Sequence, residues 1–486
     1  MKDIKKLLYI YLNNDKQFQF WCSGPTDGIS MIDNIVTKRE DYRTRENYKI
    51  AKDCGFNCIH FGNNILSHQL EMGKPGVITQ EEFKKKNDNA LAAMNEVGFR
   101  FAVISDYRYT NFLSRKHGGL IGNDKDFKDE RELDNYIRNC SSWYKDYPGV
   151  NGFDVGDEPT WWGLESFGQV YKSIGRLFPN KYRYYNFFGF AITEETENSY
   201  GNFKVLEGET YYEAAKKQYI KYLDKAVKCM GTMDYMRFDI YPIGPNKISE
   251  YYIPSLDIIA SYTRDNNMEL GLYLPSFEML HYGTLRYSRL SEQENRLCHN
   301  TALAFGAKSF EYFTYTTGRE SMTRGETFID GGSPITLDNK KTYLYYDTKR
   351  IIEEIVKIEK IILCFNYNGY GVYISDIHEG RIDHLYRTKN DYAFRNIKKY
   401  LCDRECLLVT ELYDKEHNNY LYSLINISDT KIDKTITTQT ISIIFNDDVT
   451  EVIELYRGNS KFVELVNHEY KKELVVGDAI FLLISK

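Results

Sequence analysis

Two acidic residues stand out by their place in the chain: Glu158, in the run VNGFDVGDEP at 150–159, and Glu278, in MELGLYLPSFEM at 268–279. Each ends a short apolar run of the kind that forms a buried strand. Alternation puts Asp154, Gly156 and Glu158 on one face of the first run, with Phe153, Val155 and Asp157 on the other. If Phe153 and Val155 face outward, Glu158 faces an opening at the strand end. In the second run Glu278 shares a face with Leu272, Leu274 and Ser276, although FEML can equally open a helix. Two carboxylates meeting across an opening can divide acid–base work. One protonates a departing oxygen and the other attacks or stabilises the cationic centre left behind, which is the chemistry of acetal cleavage. Asp239, in DYMRFDIYPIG at 234–244, competes with Glu278 for the second place. Arg237 on the same face is expected to pair with Asp239 or with Asp154, because a charge inside a protein needs a partner.

Other residues at strand ends can serve the same opening. Trp21, Tyr107 beside Asp106, Asn186, Tyr241 and Tyr315 are candidate substrate contacts, as is Asp157. Trp161 and Trp162 directly follow the Glu158 turn and can form an aromatic wall, since flat rings stack on sugar C–H faces. His60 lies in an apolar run and reads as a hydrogen-bonded core histidine, while His117, His281 and His299 lack metal-ligand spacing. No metal and no other cofactor is expected.

Eight strand-like runs must position these residues, at 17–25, 55–64, 98–107, 150–159, 182–190, 234–244, 268–279 and 307–317. Amphipathic stretches separate them. Thr79 with Glu82 and Ser291 with Glu294 fit capping boxes, the reciprocal hydrogen bonds that open a helix. Eight alternations of strand and helix predict a closed (β/α)8 TIM barrel. The charged stretch at 347–363 reads as its last helix. From about 366 the chain turns to short alternating strands: GYGVYISD, CLLVTELYD, NYLYSLINIS, TISIIFND, VTEVIELYR, KKELVVG and AIFLLIS. The expected organisation is a barrel over 1–365 and a C-terminal all-β sandwich over 366–486.

Bulk properties narrow the function classes. The 63 Lys and Arg against 69 Asp and Glu leave a net charge of -6 without a basic cluster, so nucleic acid is not an expected partner. No run reaches the roughly 18 apolar residues of a membrane span, and the first residues lack a leader-like cleavage site. The nine cysteines are scattered, with Cys54/Cys58 and Cys402/Cys406 the only close pairs, and read as reduced thiols. These signs together predict a cytoplasmic protein of open oligomeric state. Aromatics make up 15% of the chain, with 42 tyrosines, a composition that suits a sugar-binding cleft.

G-x-D-E-P at the fourth strand resembles the Asn-Glu-Pro signature of the large clan of retaining (β/α)8 glycosidases that includes β-galactosidases, β-mannosidases and cellulases. That resemblance implies an acid/base glutamate after strand four and a nucleophile after strand seven, the places of Glu158 and Glu278. ENRLCHNTALAFGAKSFEYFTYTT is similar to the closing helix and strand of bacterial glycosidase-like barrels, and the tail to the β-domain that follows many of them. Asp157 departs from the pattern: it stands where the clan has Asn, and a carboxylate accepts hydrogen bonds but cannot donate them. The expected activity is hydrolysis of a β-linked glycoside or oligosaccharide. Two alternatives stand beside it: a non-catalytic carbohydrate-binding barrel lacking one carboxylate, and a metal-dependent isomerase-like barrel with Glu158, Asp239, Glu278 and His60 around a cation.

Overall fold

Each of the eight runs contains one strand of a closed parallel barrel in a computed structural model. The structure describes residues 4–25, 29–32, 35–38, 40–61, 80–106, 109, 121–122, 125–142, 144–192, 199–318, 325–375, 394–404, 406–431 and 437–484. The barrel strands are β1 (Gln19–Cys22), β2 (Cys58–Phe61), β3 (Phe101–Ile104), β4 (Gly152–Asp157), β5 (Tyr182–Phe188), β6 (Tyr235–Asp239), β7 (Glu269–Pro275) and β8 (Ala307–Phe313). They pair in sequence order, and β8 closes on β1. Helix α1 (Ile4–Leu12) precedes the barrel. Helices α2 (Arg45–Asp53), α3 (Gln80–Val97), α4 (Glu130–Ser141), α5 (Leu164–Leu177), α6 (Tyr211–Met230), α7 (Tyr252–Asp265), α8 (Glu292–Ala304) and α9 (Tyr343–Ile362) follow the strands in turn.

Side-chain alternation builds two layers of core. Phe153, Val155, Phe187, Phe310 and Tyr312 point outward and join the helices in one large apolar core. Trp21, Cys58, Val103 and Tyr184 point inward and fill the lower barrel. The capping box at α8 forms as its sequence predicts, with Glu294 N–H donating to Ser291 Oγ and Ser291 N–H donating to Glu294 Oε2 at 2.8 Å. The other expected box involves Thr79, which lies outside the described residues. Helix α9 starts at Tyr343, earlier than its charged stretch suggests, because Leu344 and Tyr345 extend its buried face.

After β7 the chain stays extended instead of opening a helix. Met279–His281 pairs with Thr284–Tyr287 and with Glu326–Phe328 from the β8–α9 connection, forming a small antiparallel sheet.

The C-terminal strands are β9 (Asn366–Ser375), β10 (Ile397–Cys402), β11 (Cys406–Asp414), β12 (Asn419–Asn426), β13 (Thr438–Phe445), β14 (Glu451–Tyr456), β15 (Asn459–Glu464), β16 (Glu469–Val475) and β17 (Ala479–Ile484). They form a six-stranded sheet in the order β9, β11, β12, β17, β14, β15 and a three-stranded sheet in the order β10, β13, β16. Strands β10 and β15 escape the sequence pattern because both are largely exposed and carry little alternation.

The central strands of the six-stranded sheet, β11, β12 and β17, are buried on both faces. Leu407, Val409, Leu424, Ile480 and Leu482 meet Ile441, Ile443 and Leu474 of the smaller sheet. Leu408, Leu412, Leu421, Ile453, Phe481 and Leu483 belong to the core of the barrel helices. Burying such a side chain fully contributes about 1.5–3 kcal/mol, so this seam joins the two halves firmly. At Gly477 the approach is so close that a Cβ would come within 2.1 Å of the Gln293 carbonyl oxygen on α8. Among the described residues no helix is long and apolar enough to cross a membrane.

Candidate active site

The end of β4 does not follow simple alternation. Asp154 pairs with Tyr184 of β5, but Gly156 pairs with Tyr185 and Asp157 with Asn186, so Val155 is bulged out of the ladder. Gly156 adopts φ +145°, a value that side chains disfavour, and Glu158 follows at φ +43°. The slip turns Asp157 from the outer face assigned by alternation to the inner one, level with Asn186. Asn186 Nδ2 donates to Asp157 Oδ1 at 2.9 Å, and Glu158 N–H donates to the Asn186 carbonyl at 3.0 Å. Asp239, at the end of β6, has the Glu158 carboxyl, the Asn186 amide and the Tyr241 hydroxyl as neighbours that favour its ionised form, while its Oδ1 is buried without a hydrogen-bond partner. The mouth thus holds Asp157, Glu158 and Asp239 together, with Asn186 between them.

This crowding moves the carboxyls away from their usual range. Burial raises the pKa of Asp239. Asp157 carries exposed surface, yet protein crowds it closely enough that loss of water is the largest influence raising its pKa. The negative charge of Asp239 comes next, and the Asn186 hydrogen bond opposes both. A proton is therefore retained among these groups nearer to neutrality than on an isolated aspartate.

One layer deeper lies a second polar group. His60 Nε2 is 3.3 Å from Asp154 Oδ2, and His60 Nδ1 is 3.4 Å from Glu311 Oε1. Burial alone would lower the His60 pKa, but its two carboxylate partners outweigh burial and raise it to about 10. The ring is an imidazolium at neutral pH. Glu311 also accepts from the Tyr184 hydroxyl, which meets the Tyr273 hydroxyl at 2.5 Å.

The structure distributes the remaining expected site residues unevenly. Glu278 lies past β7 in a two-nitrogen ion pair with Arg289, whose Nε and Nη2 both stand 2.9 Å from Glu278 Oε2. Trp21 is 0% exposed and is layered with Phe101 and Tyr182 inside the lower barrel, so it has no face to offer a ligand. Tyr315, 1% exposed, packs edge-on against Phe56 in the helix layer. The Trp161 ring faces Lys225 Nζ at 4.7 Å and Gly201, which turns it toward α6, whereas Trp162 is 39% exposed. Tyr107 lies outside the described residues, and neighbouring Asp106 is buried and accepts from Tyr144 at 2.7 Å. Arg237 pairs with neither Asp154 nor Asp239. Its Nη2 donates to Ser309 at 3.3 Å and its guanidinium stacks on Tyr184 at 4.3 Å, the tyrosine rings taking the place of a carboxylate. The four proposed cation ligands do not converge, since His60 and Glu278 are taken by other partners. Among the described residues no group of three His, Cys, Asp or Glu could hold a metal.

Two features escaped the sequence reading. Glu311 alternates in phase with Ser309 and Phe313 along β8, a signal that marks it as inward-facing. The aromatic wall beside the carboxylates comes from elsewhere than the tryptophan pair: Tyr241 stands at 90° to Phe277 (5.2 Å), 5.9 Å from Tyr287 and stacked with Phe313 at 5.8 Å. Phe328 completes it, 5.7 Å from Phe277. Phe277, Tyr287 and Phe328 belong to the chain around the small sheet, which short strand patterns did not reveal. A cavity of about 410 Å³ opens at the opposite end, where the strands begin, lined by residues including Gln19, Tyr182, Arg183 and Tyr235. Chemistry in a barrel of this kind belongs to the ends of its strands, so the mouth is the candidate site.

No family model matches the sequence, and no curated protein matches it. The solved structures similar to the chain include glycoside hydrolases. A β-galactosidase from the psychrophilic Marinomonas ef1 aligns at 10% identity and TM-score 0.44, over 71% of this chain and 60% of its own, so the chain spans less than two thirds of that protein. A glycoside hydrolase family 5 protein from Bacteroides vulgatus aligns at 10% identity and TM-score 0.48, over 96% and 89%. A GH27 β-L-arabinopyranosidase from Geobacillus stearothermophilus aligns at 11% identity and TM-score 0.48, over 98% of both chains.

Proposed function

We propose that the chain hydrolyses a β-linked glycoside or oligosaccharide at the barrel mouth, with Glu158 as acid/base and Asp239 as the second carboxylate. The observation that carries this reading is the gathering of Asp157, Glu158 and Asp239 around Asn186 at the mouth, where Glu158 and Asp157 each act on a buried neighbouring carboxyl. Two neighbouring carboxyls do not both ionise readily, so the pair retains one proton and offers an acid and a base together. A sugar enters between them. Glu158 then protonates the leaving oxygen, and Asp239 meets the cationic anomeric centre. We take the reaction to be retaining, which needs a separation of about 5–5.5 Å rather than the 6.5–9.5 Å of inversion. Asn186, holding Asp157, and Tyr241, backed by the aromatic wall, would orient the sugar.

Hydrolysis of a panel of nitrophenyl β-glycosides by wild type and Glu158→Gln tests the reading. Loss of about 10²–10⁴-fold in kcat/KM is expected for the variant, with the product anomer retained when followed by NMR. A second reading keeps Glu278 as nucleophile, because Arg289 holds it oriented and Phe277 beside it packs against Tyr241. Asp239→Asn and Glu278→Gln separate the two: activity abolished only in the latter gives the role to Glu278. Thermal stabilisation by sugars without turnover of any glycoside would make the barrel a carbohydrate-binding protein instead.

A further inference from the structure

The mouth carboxylates rest on a belt of buried polar side chains one layer below. Ser105, just past β3, donates from Oγ to Asp154 Oδ2 at 2.8 Å. Asp154 pairs with His60 of β2, His60 with Glu311 of β8, and Glu311 with Tyr184 of β5, which meets Tyr273 of β7. His60, Asp154 and Glu311 are 7%, 5% and 1% exposed. Burying three charges is costly, and an apolar layer of equal volume would commonly be no less stable. The layer beneath, with Trp21, Cys58 and Val103, is largely of that apolar kind.

What the belt grips is the bulge. The second oxygen of Asp154, Oδ1, accepts the Gly156 N–H at 2.9 Å, across the slip that brings Asp157 and Glu158 to the mouth. Asp154 holds that amide only while its carboxylate keeps one orientation. Ser105 and His60 fix its other oxygen, and Glu311 fixes His60 from the far side. The Tyr184 ring, 4.7 Å from the imidazole, covers a further flank. These are the groups that face His60 from β4, β5 and β8, and Asp157 at the mouth also feels its charge.

The geometry points to His60 as a positioning residue: seated between Asp154 and Glu311, it locks Asp154 onto Gly156 and so aims Asp157 and Glu158. Its catalytic meaning rests on the hydrolase reading above, but the lock itself does not. His60 touches no reacting atom. It acts through Asp154 and the backbone, as an ionic strut under the turn that carries the acid.

His60→Gln, which removes the charge and one of the two contacts, tests the lock, with isosteric Glu311→Gln as a second variant should the first fail to fold. Amide hydrogen exchange reads the lock without substrate: Gly156 should exchange about 10-fold faster in His60→Gln, and by a smaller factor in Glu311→Gln, while Phe153 on the same strand keeps its protection. In turnover, kcat should fall roughly 10- to 100-fold with KM unchanged, because a carboxyl displaced by an ångström loses rate rather than affinity. Unchanged Gly156 exchange and kcat in the folded variants would overturn the proposal. So would a uniform rise in exchange with activity lost only in proportion to unfolded protein. Selective Gly156 exchange in a protein that cleaves no glycoside would leave the lock standing and remove the hydrolase reading alone.

Discussion

The barrel mouth and the seam between barrel and sandwich both gather acidic residues, and they treat them in opposite ways. At the seam, Arg296 of α8 holds Glu354 of α9 through both terminal nitrogens, at 2.7 and 2.9 Å, and reaches Glu292 at 3.0 Å. Asp478, just before β17, is held by Arg457 at 2.7 Å, and Glu294 by Lys431 at 3.1 Å. At the mouth, the groups set against Asp157 and Asp239 are another carboxyl, an amide and a phenol. Matched charge holds two halves together. Mismatched charge stores a proton and raises free energy locally, a pattern typical of sites that do chemistry.

The contrast breaks most visibly at Arg296. Arg296→Met should cost about 3–5 kcal/mol, because it leaves Glu354 without its buried cation. Guanidinium denaturation measures it, and a loss below about 1 kcal/mol would mean the seam is held by apolar packing alone.

At the mouth the sign should reverse. Asp239→Asn is expected to remove activity while raising stability by about 0.5–2 kcal/mol at pH 7. The gain should depend on pH. A carboxyl whose folded pKa is raised contributes stability that is full below the unfolded value near 4 and is lost as pH rises through the folded value, about 7 for Asp157. Wild type and variant should therefore melt alike near pH 4 and diverge as pH rises. Glu292 at the seam behaves oppositely: burial raises its pKa, but Arg296 and Arg350 outweigh burial and lower it, so its contribution disappears on acidification. Melting curves of both proteins across this range check the two slopes together.

The smallest expected effect is at Thr410, whose hydroxyl donates to the Ala304 carbonyl at 2.6 Å and pairs with Ser423. Thr410→Val should cost about 1 kcal/mol with turnover unchanged, read by the same denaturation assay.

The barrel was legible because eight apolar runs alternate with amphipathic stretches, a pattern that few folds share. The β-domain was legible where strands are buried and not where they are exposed, as at β10 and β15. Around the site, the run before Glu158 shows where a carboxylate must lie. It does not show that Val155 is skipped, because a bulge depends on which partner residue each peptide meets. Glu278 reads as Glu158 does, and only folding reveals Arg289 beside it. Trp21 and Tyr315 look like ligands in a list of aromatics, yet fill space between layers.

The sequence alone determined the class of elements, their order and the strand-end placement of Glu158, since periodicity and turn chemistry are local. Only the tertiary structure decided which charges meet. His60 and Glu311 are 251 residues apart, and their pairing through a closed barrel has no local signature. The same holds for Glu158 and Asp239, which become neighbours because β4, β5 and β6 bring their ends to one rim.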